Sequence, residues 1–299
     1  MTGVELYAPR EAHHRRTWTL AALGLLLVFV VLGGAIAIGL AFVIQGQFGK
    51  IAQADRGVFE LTFFFGFAGF LCLLWVWFFE RRGVAQVGFN GGGTFPFLRG
   101  VFWGLAALAI VVALIAAIGG YSVESGGRWS APSAAVLLPF AAYGLAFIIQ
   151  GSTEELLIRG WLMQLTASRY GVTAGIVFST IIFSLLHGGN IKPSDELVLG
   201  LLNIVLVGAF LGLYAAQEGS IWGVCGWHAA WNWFLGLGFG LEVSGGDLGA
   251  GALVVDLKSN GGVPWWITGG AFGPEASVIT TGVLLAGFLW LLLRGPRVT

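Results

Sequence analysis

Long apolar runs, separated by short polar or glycine-rich breaks, set the plan of the chain. The runs cover residues 17–44, 61–79, 101–119, 134–169, 172–187, 197–214, 221–239 and 277–293. A helix crosses the hydrocarbon core of a bilayer in about 20 apolar residues. The pattern therefore predicts an all-α polytopic membrane fold with about eight transmembrane helices. The breaks are a polar tail over 1–16, a loop over 45–60, and a glycine-rich stretch over 80–100 that opens with Glu80-Arg81-Arg82. A loop with Glu124, Arg128 and Pro132 follows, then a turn at Gly171, a loop over 188–196 with Pro193, and a tight connection at 217–220. The last break, 240–276, is the longest, and its Trp265-Trp266 pair suits a membrane interface. The fourth run is longer than a bilayer needs, and Gly171 ends it as a helix C-terminal signal does. Three parts follow from this layout: 1–133 with the tail and three spans, 134–239 with four spans, and 240–299 with the long loop and the last span.

Composition agrees. Of 299 residues 57% are hydrophobic and only 10% charged, and the mean hydropathy is +0.86. The 49 glycines let membrane helices approach closely, and the 13 tryptophans favour interfaces. A net charge of zero gives no electrostatic footprint for nucleic acid. Cys72 and Cys225 lie in separate apolar runs and form no CxxC pattern. The first run, at 27 residues from Trp18, is much longer than a signal-peptide core of about 7–15 and reads as a retained span. Leaving Arg159 aside, nine Lys and Arg residues fall on the segments that share a side with the N-terminus and five on the opposite loops. That bias predicts both termini in the cytosol of a multi-pass cell-membrane protein.

One segment breaks the apolar pattern inside a span: Gly151-Ser-Thr-Glu-Glu-Leu-Leu-Ile-Arg159. A charge at membrane depth costs about 2.5–3.5 kcal/mol on insertion scales and marks function by default. Glu155 and Arg159 are i,i+4 neighbours able to pair, which is also the ordinary structural use of such residues. Glu154 points about 100° away. It is expected to lack a partner on its own helix and to seek one elsewhere.

Two histidines offer themselves, His187 at the end of the fifth run and His228 in the seventh; His13 and His14 lie in the tail and read as solvated. Glu154 stands 16 residues before the Tyr170-Gly171 turn and His187 the same number after it, so both lie about 24 Å from one turn. Asn232 shares a helix face with His228, and Phe183 with His187. Three helices thus bring a carboxylate, two imidazoles and an amide to one depth. A carboxylate shielded from water acts as a general base, and a His and an Asn can donate to a developing oxyanion. Glu154, His187 and His228 equally make a zinc set with an open fourth position. There is no HExxH helix. Trp227, Trp231, Trp233 and Phe234 read as packing, and Gly91-Gly-Gly93 lacks the strand and lysine of a phosphate loop.

The order EExxxR, FxxxH, HxxxN, here Glu154-Glu155…Arg159, Phe183…His187 and His228…Asn232, resembles the CAAX-protease and bacteriocin-processing (Abi or Rce1-like) family of intramembrane proteases. The similarity covers about residues 135–235 and includes Gly219-Ser-Ile-Trp222; Phe272-Gly-Pro-Glu275 also looks like bacterial members. The resemblance implies an intramembrane endopeptidase with a conical catalytic cavity open to the cytosol. Glu154 and His187 would activate water, His228 and Asn232 would stabilise the oxyanion, and Glu155, Arg159 and Phe183 would support the site. It leaves metal-free catalysis and a divalent metal such as zinc both open. The implied partners are a membrane-embedded or lipid-anchored peptide or protein substrate and the bilayer, with no nucleic acid. Two other functions fit the composition: a non-proteolytic immunity or scaffold protein of the same family, and an ion-coupled transporter. The transporter lacks the inverted repeat such proteins carry.

Overall fold

The computed structural model describes residues 3–130, 133–249 and 251–295. Pro132 and Arg297 lie outside the described residues. Each apolar run is helical. α1 is Thr19–Phe48, α2 Gln53–Leu74 and α3 Thr94–Ala117; α4 is Ala134–Glu155 and α5 Gln164–Tyr170. α6 is Val172–Leu186, α7 Asp195–Glu218, α8 Trp222–Trp233, α9 a single turn at Trp265–Thr268, and α10 Val278–Arg294. α4 and α5 form one rod, joined by the π-helical stretch Leu156–Met163. Two further π-helical turns, Trp75–Phe79 and Phe234–Gly238, extend α2 and α8.

Five rods are long and apolar enough to cross a membrane: α1, α2, α3, the α4–α5 rod and α7. Only 22–39% of the most apolar window of each is buried inside the protein. The remaining apolar surface has no protein partner and suits lipid, so this is a polytopic membrane protein. α6 and α10 are shorter apolar helices.

The fold departs from the sequence expectation in four places. It is not purely helical: β1 (Tyr121–Ser125) pairs antiparallel with β2 (Asp256–Ser259), tying the loop before α4 to the long loop after α8. The loop expected over 45–60 is shorter, because α2 begins at Gln53. The polar tail is docked. Val4 N donates to Ala167 O (3.0 Å), Leu6 N to Gln164 Oε1 (2.8 Å), and the buried Tyr7 hydroxyl to Arg159 O (3.0 Å). Glu80 and Arg82, expected in an open loop, are buried as an ion pair (2.8 Å) that also receives Thr17 and the Trp161 indole. His13 is exposed as expected, and His14 is half-buried.

α8 carries two site residues and is held against α3 by glycines. A Cβ at Gly100 would lie 1.9 Å from Gly223 O, and one at Gly104 2.5 Å from Trp227 O. Small residues permit this approach in membrane helix pairs. Gly100→Ala forces the backbones apart and is expected to destabilise the protein by about 1–3 kcal/mol, the usual range for overpacking. A melting curve in detergent against the exposed control Gly39→Ala, where a Cβ meets nothing within 4 Å, checks it.

Candidate active site

The site begins where the α4 rod changes its winding. Gly151 sits where a side chain would press on α8: its Cβ would lie 3.1 Å from Ala229 N and 3.4 Å from the His228 ring. Its absence brings the His228 imidazole against the first turn of the motif. Glu154 and Glu155 follow, and the wider i,i+5 winding starts at Leu156. Such π-helical stretches occur often at functional sites.

Glu155 and Arg159 pair as the spacing predicts, Nη1 to Oε1 at 3.0 Å, both side chains fully buried. Arg159 Nη2 also donates to Gly208 O (3.3 Å), and its guanidinium lies 4.3 Å from the Phe183 ring centroid. The same Phe183 ring meets His187 at 4.7 Å and His228 at 6.2 Å, edge to face in both cases. One aromatic ring therefore lies beside the buried cation and both imidazoles.

His228 Nδ1 lies 2.7 Å from Glu155 Oε1. A carboxylate only accepts, so this nitrogen carries a proton and donates. The ring turns Nε2 towards Glu154 Oε2, 3.7 Å away. That oxygen is buried and has no hydrogen-bond partner among the described residues. Two groups 3.7 Å apart do not bond directly, yet one water at ordinary hydrogen-bond distance touches both. His187 Nδ1 contacts the Phe183 carbonyl at 2.8 Å, so Nδ1 donates and Nε2 is left over.

Glu154 does have a partner on its own helix, contrary to expectation. Gln150 Nε2 donates to its Oε1 at 2.8 Å, and Gln150 Oε1 in turn accepts from Asn232 Nδ2 at 3.1 Å. Gln150 was legible as a polar residue one turn before Glu154, but the apolar stretch around it hid it. Glu154, His187, His228 and Asn232 all line one cavity of about 500 Å³, whose walls are otherwise largely apolar.

A second carboxylate, Glu275, lines that cavity from outside the motifs. Glu275 accepts from the Trp231 indole (3.2 Å), from Ser244 Oγ (2.9 Å) and from Ser244 N. Burial pushes its carboxyl above the ordinary glutamate range. Ser244 has φ 49, a left-handed conformation rare for a non-glycine residue, and its carbonyl accepts from Asn190 (2.9 Å). Glu275 thereby ties α8, the turn at 243–246 and the loop after His187 together. The sequence had flagged Phe272-Gly-Pro-Glu275 without giving it a role.

The cavity reaches the surface at Asn190 and Gly246, both exposed. These lie at the loop ends of α6 and α8, whereas the docked tail packs beside Ala167 at the other end of the rods. The cavity mouth and the N-terminal tail are on opposite faces.

Glu154, His187 and His228 are the residues that would hold a zinc ion, but their ligand atoms do not all fall within 4.8 Å of one another here. A zinc ion about 2.0–2.2 Å from three N and O ligands needs those atoms close together. Among the described residues, the group whose ligand atoms all fall within 4.8 Å of one another is Glu11, His13 and His14, in the tail.

Residues 135–234 match the model of the family described as Type II CAAX prenyl endopeptidase Rce1-like. That segment, a third of the chain, holds all three motifs and is similar to that family. No curated protein and no solved structure matches the chain.

Proposed function

We propose that the protein is an intramembrane endopeptidase that hydrolyses a peptide bond without a metal. Glu154 takes a proton from water, and the hydroxide adds to the scissile carbonyl carbon. His187 holds the water through its free Nε2. His228, as the imidazolium with protons on both nitrogens, donates from Nε2, and Asn232 donates from Nδ2, to the negative charge that forms on the carbonyl oxygen. The C–N bond then breaks, and the proton on Glu154 passes to the leaving amine. Glu155, Arg159 and Phe183 position the groups: Glu155 fixes the His228 ring by its Nδ1–H, as a carboxylate does for a catalytic histidine elsewhere. The observation that carries this reading is the buried Glu154 Oε2, without a hydrogen-bond partner among the described residues, facing His228 Nε2 at 3.7 Å on the cavity wall.

The substrate is a membrane-embedded or lipid-anchored peptide or protein. The arginine bias supports cytosolic termini in the cell membrane, which turns the cavity mouth to the outer face. A prenylated substrate on the cytosolic side is then not what the site meets. Reporter fusions at the C-terminus are expected to report a cytosolic location; a periplasmic or extracellular signal would reverse the assignment.

The test of function is cleavage of transmembrane and lipid-anchored reporter peptides in proteoliposomes. Wild type is expected to cleave at least one, and His187→Ala and Asn232→Ala to lose most of that rate. Pre-incubation with a strong zinc chelator is expected to leave the rate unchanged. Loss of activity restored by added zinc would overturn the metal-free reading.

A further inference from the structure

A second cavity, about 680 Å³, lies between α3, α7, α8 and α10, on the far side of Trp227 from the candidate site. Trp227 and Leu284 line both cavities and form the wall between them. The second one is amphipathic along its length. Its polar end holds Arg99 and Arg294, at the face that carries the docked tail; the rest is walled by residues such as Trp103, Ile110 and Phe210. From Arg99 to Ile110 on α3, and from Arg294 back to Val283 on α10, is eleven residues, about 16 Å along each helix. That is close to half of the roughly 30 Å hydrocarbon thickness of a bilayer, the depth of one leaflet.

We infer that this cavity binds an anionic phospholipid of the cytosolic leaflet, with its headgroup on Arg99 and Arg294 and an acyl chain along α3 and α10. Arg99 bridges Glu218, but that carboxylate is shared with Ser220 Oγ (2.6 Å) and Gly223 N (2.9 Å). Arg294 makes no ion pair among the described residues, and its guanidinium stacks 5.0 Å from the Trp290 ring. The three charged groups therefore leave one net positive charge at headgroup level. Basic pockets between membrane helices on the cytosolic side recognise anionic headgroups in this way. The Trp103 and Trp290 rings, 6.4 Å apart and half exposed, stand at the rim where the chain would enter from the bilayer. Gly287 keeps the floor clear, since a Cβ there would sit 3.3 Å from Phe210. A bound chain would buttress Trp227, the residue next to His228.

The experiment uses the full-length protein in a neutral detergent and reads melting temperature and lipid retention by native mass spectrometry. Dioleoylphosphatidylglycerol is expected to raise the melting temperature and to remain bound, and dioleoylphosphatidylcholine to do neither. Arg294→Gln is expected to weaken phosphatidylglycerol binding about fivefold, the equivalent of about 1 kcal/mol per basic residue at an anionic surface. Gly287→Phe, which fills the chain site and leaves both arginines, is expected to abolish it. Equal effects of the two lipids, or undiminished binding in both variants, would overturn the proposal, as would the same stabilisation by inorganic phosphate alone. None of these readouts depends on proteolysis.

Discussion

Glu154→Gln lowers kcat/KM for reporter cleavage by about 10²–10⁴-fold, the usual contribution of a general base, while the melting temperature holds. The amide keeps an oxygen for the Gln150 donor, now 2.8 Å from Glu154 Oε1, and keeps the size of the side chain. It cannot accept a proton from water. Stability holds because the substitution removes a charge from largely apolar surroundings instead of stranding one. The effect falls on kcat with KM little changed, since the carboxylate acts on water and not on the substrate's ground state. A stopped assay over a range of reporter concentrations, with melting curves on the same preparations, separates these quantities. A variant that melts early and cleaves slowly would point to a structural role for Glu154 instead.

Glu155→Ala lowers stability as well as activity and costs about 3–5 kcal/mol. Both Glu155 and Arg159 are fully buried, and removing one partner of a buried pair strands the other charge. Arg159 Nε already lacks a partner among the described residues, so little is left to compensate. What remains is the long bond to Gly208 O and the Phe183 ring. Activity falls too, because His228 loses the acceptor that holds its Nδ1–H at 2.7 Å. The double change Glu155→Leu with Arg159→Met removes both charges together. It is expected to recover most of the stability, as apolar replacements of buried pairs do, but none of the activity. Recovery of activity by the double variant would show that the pair does not position His228.

Much of this arrangement is legible in the sequence because membrane helices count distance reliably. Glu154 and His187 are measured from a single turn at Gly171, and the structure puts both on one cavity. The motif spacings place Asn232 and Phe183 for the same reason. What escapes depends on contacts between segments far apart in sequence. The π-helical winding of Leu156–Met163, buried along its whole length, leaves no pattern in residue types. The tail looks solvated because its residues are polar, yet its backbone and Tyr7 find acceptors on the α4–α5 rod. β1 and β2 are joined across more than 130 residues, which no local period reveals. Charge counts locate the ends of helices and are silent on which end the cavity meets, so the placement of the cavity's exposed residues, Asn190 and Gly246, away from the tail emerges only from the fold.

The central claim is that Glu154 delivers a water oxygen to the scissile carbonyl. Cleavage of a reporter peptide in ¹⁸O-labelled water, with mass analysis of the N-terminal product, tests it most directly. One labelled oxygen in the new carboxylate made by wild type, and no labelled product from Glu154→Gln over the same period, is the predicted result. Labelled product from Glu154→Gln at the wild-type rate, or unlabelled product from wild type, would contradict it.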